Sequence, residues 1–190
     1  MQIVFVGPPG SGKGTQCEKL AAALEVPHLS TGELLRRTKG RSALGDLVAC
    51  YIDRGCLAPD FLVLPLVKRL MGQADFSKGC LFDGFPRTVA QAEFLGDYLA
   101  TKGQRIHRVI HLQVPESQLV TRLMERSRLE GRADDNQDGI AKRLEIYRER
   151  TRPVLDYYRE RELVENIDGS GDPQAVHQEI VSHLKIDGPV

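Results

Sequence analysis

Apolar and polar positions along the chain switch between two periods. Residues 3–6 form a short β-branched and aromatic run, the pattern of a buried strand. A Gly/Pro-rich turn follows, then a helical pattern over 13–25. The alternation continues: a short strand near 27–29, helices over 43–53 and about 59–72, and a strand over 79–83. A helix over 89–102, a strand over 107–114 and a helix through about 126 come next. Residues 128–138 are polar, carry Gly131 and lack periodicity, so a loop is expected there. One long charged helix over 139–161, a fifth strand over 163–167 and a helix over 173–184 complete the pattern. Strands alternating with helices imply right-handed βαβ units. The fold class expected is therefore α/β, a mostly parallel five-stranded sheet with helices on both faces.

Capping chemistry sharpens the boundaries. Ser30 followed by Glu33, and Thr88 followed by Gln91, read as capping boxes. Pro115 suits a first helical turn. Pro65 lies inside a helical pattern, where it removes one N–H and predicts a kink.

Composition narrows the class without changing this picture. The 190 residues fit one domain. A chain of this size buries roughly 70% of its unfolded surface and needs no staple to fold. Lys plus Arg number 26, as do Asp plus Glu, so no chain-wide basic field draws nucleic acid or an anionic membrane. No apolar run approaches the roughly 20 residues of a membrane span. Cys17, Cys50, Cys56 and Cys80 form no CxxC pair and no zinc-like spacing. Free thiols, and a start at Met1 without a basic, signal-like segment, lead us to expect the cytoplasm.

The strongest chemical signal is Gly7-Pro8-Pro9-Gly10-Ser11-Gly12-Lys13-Gly14-Thr15, between a predicted strand and a predicted helix. Glycines let successive N–H groups converge on a phosphate, the helix N-terminus adds positive potential, and Lys13 supplies a full charge. Gly14 stands where this motif commonly has Ser or Thr, so Thr15 becomes the candidate hydroxyl near Mg²⁺. Asp83 closes the third strand at the edge where open α/β sheets hold ligands, and Arg87 follows it there. Arg122 and Arg126 share a helix face, an arrangement that repels unless an anion joins them.

Three further segments carry a resemblance: Leu29-Ser30-Thr31-Gly32-Glu33-Leu34-Leu35-Arg36, Asp83-Gly84-Phe85-Pro86-Arg87-Thr88 with Gln91, and Gly131-Arg132-Ala133-Asp134-Asp135-Asn136. With the phosphate loop they resemble, in order and over essentially the whole chain, the nucleoside monophosphate kinases. The likeness is closest to the adenylate kinases of the short-lid type. It implies a P-loop kinase core (1–29, 60–125, 137–190), a helical monophosphate-binding lobe over 30–59 and a lid over 126–136.

The resemblance also implies roles. ATP would be bound by Gly10, Ser11, Gly12, Lys13, Gly14, Thr15, Arg122, Arg126 and Gly171. AMP would be bound by Thr31, Arg36, the backbone of Leu57, Ala58 and Pro59, then Gly84, Phe85, Pro86, Arg87 and Gln91, with Arg132 and Arg143. Lys13, Arg87, Arg126, Arg132 and Arg143 would stabilise the migrating phosphoryl group. Asp83 and Thr15 would hold Mg²⁺, largely through water. Asp134 and Asp135 would partner the lid arginines. The short lid implies no structural zinc, and the family implies a monomer acting on ATP, AMP and ADP. Two alternatives stay open: a UMP/CMP kinase, disfavoured by Thr31 and Gln91, and a P-loop switch that holds ATP without a second substrate.

Overall fold

The computed structural model describes residues 1–72, 76–130 and 136–185. Five strands pair in parallel: β1 (Gln2–Val6), β2 (His28–Ser30), β3 (Cys80–Asp83), β4 (Arg108–Gln113) and β5 (Val164–Asp168). Their order across the sheet is β2-β3-β1-β4-β5. β1 is buried at every residue, as its unbroken apolar run requires of a central strand covered on both faces. The order reverses at β1: the chain goes to one side for β2 and β3, then to the other for β4 and β5. A crevice opens at the carboxyl ends of β1, β3 and β4 for that reason.

The helices cover both faces. They are α1 (Lys13–Leu24), α2 (Thr31–Arg37), α3 (Ala43–Asp53), α4 (Asp60–Met71), α5 (Val89–Ala100), α6 (Glu116–Glu130), α7 (Gln137–Ile146), α8 (Arg152–Arg159) and α9 (Pro173–Leu184). One core lies between the sheet, α4, α5 and α8, with Val4, Phe82, Leu95, Leu99 and Val154 fully buried. The other lies between the sheet, α1 and α9, with Ile3, Leu20, Leu81, Ile110 and Ile180 fully buried. Successive strand residues face opposite sides, so Ile3 and Val4 enter different cores.

Several expectations change. The long helix expected over 139–161 contains a π-helical turn, Tyr147–Thr151, between α7 and α8. Arg152 N donates to Tyr147 O, five residues back. Pro153 has no N–H for an α-type bond to Glu149 O, and the backbone widens just before it. The loop expected from 128 begins later, because α6 continues through Arg128 and Leu129, both good helix formers. Ser30 makes no side-chain cap bond. It is still in the sheet, in register with Asp83, when α2 starts at Thr31. Thr88 does cap α5, accepting from Gln91 N at 3.2 Å, but Gln91 does not return the bond. Pro65 does lie inside a helix, since α4 spans it from Asp60 to Met71.

Candidate active site

The loop from Gly7 to Thr15 leaves buried β1 and enters α1 at Lys13. Gly10 adopts φ +82°, and a Cβ there would stand 3.0 Å from Leu123 Cγ and 3.1 Å from Leu119 O on α6. Only glycine lets the loop lie so close under that helix. Gly12 caps α1 without a side chain, so nothing of its own occupies the first-turn N–H groups. These donors and the helix dipole face the crevice.

Lys13 Nζ lies over the loop, donating to Gly7 O at 2.8 Å and Pro8 O at 2.9 Å. Desolvation lowers its pKa to about 8. The Asp83 carboxylate opposes that shift, while Arg87 and Arg143 add to it. Lysine, acid and two arginines thus share one electrostatic neighbourhood. Burial pushes the Asp83 carboxyl up, but the His28 ring, Lys13 and Arg87 outweigh it and hold the group below the usual carboxylate range. His28 Nε2 sits 3.8 Å from Asp83 Oδ2, beyond hydrogen-bond reach, so its influence is through space.

Asp83 ends β3, and the chain then turns sharply. Gly84 has φ +73°; a Cβ on it would lie 3.0 Å from Thr31 Oγ1 and 3.1 Å from Arg87 Nη2. The Phe85–Pro86 peptide is cis. Arg87 Nε donates to Gly84 O at 2.9 Å, which aims the guanidinium back across the turn. A Cβ on Gly32 would be 3.5 Å from Arg36 Nη1 and 3.6 Å from Arg87 Nη2, so these two cations flank one point. On the far side, Arg122 donates to Gly169 O at 2.9 Å and to Ser170 O at 3.1 Å, binding α6 to the loop that carries Gly171.

All of this faces one cleft of about 1140 Å³. Lys13, Arg36, Arg87, Arg122, Arg126 and Arg143 line it, with Asp83, Thr15 and Gly171. A volume above the roughly 300–1,000 Å³ of ordinary ligand sites suits more than one bound molecule. Gly10, Ser11, Gly12, Gly14, Leu57, Gly84 and Pro86 also line it. Thr31, Ala58, Phe85 and Gln91 are buried instead, and Pro59 caps α4. Phe85 packs edge-on to Phe94 in the core, with ring centroids 6.5 Å apart. Arg132, Asp134 and Asp135 lie outside the described residues.

The cleft wall also contains His28, Tyr147 and Thr151, which the sequence did not single out. Tyr147 and Thr151 belong to the π turn, which a 3.6-residue period does not register. Tyr147 OH lies 3.4 Å from His111 Nε2, and His111 Nδ1 lies 2.9 Å from Asn166 Oδ1. Since the Asn oxygen only accepts, the histidine proton sits on Nδ1 and Nε2 accepts from the tyrosine. Desolvation lowers the His111 pKa, which suits this neutral tautomer.

Residues 5–163 match the family model for adenylate kinase. The chain belongs to the adenylate kinase family. It is 46% identical to an adenylate kinase of Rhodopirellula baltica over 184 residues, covering 97% of this chain and 95% of that protein. Its identity to an adenylate kinase of Thermus thermophilus is 43% over 185 residues, 97% of each chain. An adenylate kinase of Thermobifida fusca is 42% identical over 186 residues, 97% of this chain and 98% of its own. Adenylate kinases are phosphotransferases that move the terminal phosphoryl group of ATP to AMP, and this chain is an enzyme of that kind. The shared name of these relatives disfavours the UMP/CMP kinase alternative.

Proposed function

We propose a division of labour within the cleft for Mg·ATP + AMP ⇌ 2 ADP. The loop 7–15 and α1 receive the ATP phosphates, with Arg126 beside them. Arg122 and the Gly171 backbone hold the ATP adenine. Arg36 and Arg87 grip the AMP phosphate, and Thr31, Gln91 and the 57–59 backbone hold its adenosine. Arg143, with Arg132 from the lid, serves the phosphoryl group in transit. The segments 30–59 and 126–136 act as closing lobe and lid on the core 1–29, 60–125 and 137–190. The observation that carries this reading is the convergence of Lys13 with five arginines on one cleft large enough for two nucleotides.

The acceptor is already a phosphate dianion, so no general base is needed. Catalysis is positioning plus charge stabilisation. Lys13 and the loop amides hold the donor phosphates; Arg87 orients the acceptor oxygen along the line of transfer. Losing one such contact costs about 3–4 kcal/mol in the barrier, or roughly 10²–10³ in rate. Closing both lobes excludes water, which would otherwise accept the phosphoryl group.

The donor set fits magnesium. Asp83 is held ionised, and its Oδ2 lies 3.7 Å from where a Cβ on Gly14 would sit, directly over the loop. Thr15 is exposed in the same cleft. One carboxylate and one hydroxyl are hard oxygen donors, and they suit a cation that keeps several waters and phosphate oxygens of its own. Thr15 and Asp83 would hold Mg²⁺, largely through water, and the ion would supply neutralisation of phosphate charge.

A cytoplasmic, monomeric enzyme completes the proposal. The four free cysteines suit a reducing compartment. Among the described residues no helix is long and apolar enough to cross a membrane.

A coupled assay offering AMP, CMP, UMP and GMP separately with Mg·ATP tests the substrate assignment. AMP is expected to be strongly preferred. Preference for CMP or UMP would overturn it.

A further inference from the structure

Asp60 opens α4 where the 30–59 segment rejoins the core, half-buried and turned toward α5. Its Oδ1 accepts from Gln91 Nε2 at 2.6 Å, and its Oδ2 accepts from Thr88 Oγ1 at 3.0 Å. The other end of the same glutamine amide is also fixed: Gln91 Oε1 accepts from Arg87 N at 2.8 Å. Thr88, having given its proton to Asp60, turns a lone pair to Gln91 N. A carboxylate only accepts and a backbone N–H only donates, so both neighbours enforce one sense of an amide that would otherwise have two. Gln91 is 3% exposed, so a flipped amide finds little water on the side that faces Asp60 and Arg87. Flipping it would set oxygen against carboxylate and NH₂ against N–H.

We propose that Asp60 is a specificity-determining positioning residue, locking the Gln91 amide in the sense that reads an adenine edge. This rests on the assignment of Gln91 to the AMP base. With its two bonds made, the amide retains one N–H and one oxygen lone pair, a donor beside an acceptor. Adenine offers the complement, a ring-nitrogen acceptor beside an amino donor. Guanine and uracil offer the reverse, a ring N–H beside a carbonyl. A locked amide therefore meets guanine donor to donor and acceptor to acceptor. Buried mismatches of that kind carry large discrimination, whereas an amide held by Arg87 N alone, without its charged partner, turns more readily to present the other edge. GMP matches AMP in ring size, so the pair isolates polarity from fit.

The test compares kcat/KM for AMP and GMP at saturating Mg·ATP in the full-length enzyme. The variants are Asp60→Asn, Asp60→Ala, Gln91→Leu and the double variant Asp60→Asn/Gln91→Leu, with the melting temperature of each recorded. The AMP:GMP ratio is expected to fall about tenfold or more in both Asp60 variants, through a raised KM for AMP with the KM for ATP unmoved. The double variant is expected to discriminate no worse than Gln91→Leu alone, because Asp60 acts through Gln91. A merely structural Asp60 would lower the melting temperature and leave the ratio in place, and that result overturns the proposal. So do losses that multiply in the double variant. If Gln91→Leu itself keeps the ratio, the assignment of Gln91 to the base fails first and the role of Asp60 with it. Should neither Asp60 variant fold, Asp60→Ser, which retains one acceptor, is decided by the same ratio.

Discussion

The ammonium of Lys13 donates to the carbonyl oxygen of Gly7 at 2.8 Å, closing the phosphate loop on itself. A side chain in this position supports the loop and is also its only full positive charge. Replacing it therefore separates chemistry from folding. Lys13→Met should fold with a native circular dichroism spectrum while phosphoryl transfer falls by about 10²–10³ or more. Near-normal turnover would refute the role assigned to it.

The depressed pKa of Lys13, about 8, makes two pH predictions. As pH rises through 8 the free enzyme loses this charge, so ATP affinity should weaken above pH 8; Lys13→Arg should not show that inflection. Stability moves the other way. Below pH 8 both folded and unfolded chains carry the proton, and the folded state bears the full cost of burying it. Between pH 8 and 10.5 only the unfolded chain remains protonated, so stability rises with pH across that window. Denaturant titrations of wild type against Lys13→Met should show that slope in the wild type alone.

Gly84 holds a left-handed turn with Thr31 and Arg87 packed against it. Gly84→Ala strains the backbone and sets a methyl 3.1 Å from Arg87 Nη2 and 3.0 Å from Thr31 Oγ1. We expect AMP affinity to fall tenfold or more, with ATP affinity largely retained. Isothermal titration with each nucleotide separately checks this; equal losses for both would contradict it.

Arg122 ties α6 to the loop carrying Gly171, and in the proposed division of labour it covers the ATP base. Arg122→Ala should raise the KM for ATP about tenfold and leave the KM for AMP near its original value, since base stacking on such a surface contributes about 1–3 kcal/mol. Steady-state kinetics with each substrate varied in turn measures the split.

Much of this is legible in the sequence. The run over 173–184 coincides with α9, because Pro173 starts it and its apolar period continues to the last turn. The phosphate loop was legible for a related reason: its parts are consecutive, so its geometry is local. The arginines were harder. Arg36 and Arg37 are neighbours of one type, yet Arg36 lines the cleft while exposed Arg37 pairs with Glu33 at 2.6 Å. A helix turns adjacent residues about 100° apart, so composition does not separate them. The Thr88–Gln91 pair was readable as a cap, but the partner that orients the amide, Asp60, is 31 residues away in sequence.

By itself, then, the sequence determined what depends on near neighbours: the succession of strands and helices, the phosphate loop, and by family likeness the chemistry. Only the tertiary structure decided the strand order β2-β3-β1-β4-β5, which arginines meet Lys13, the π turn that puts Tyr147 on the cleft wall, and the direction in which Gln91 faces. The reason is physical. Local pattern reports the period of one segment, whereas a binding site is a set of charges and hydrogen bonds between segments that are distant in the chain and adjacent only once the sheet has assembled.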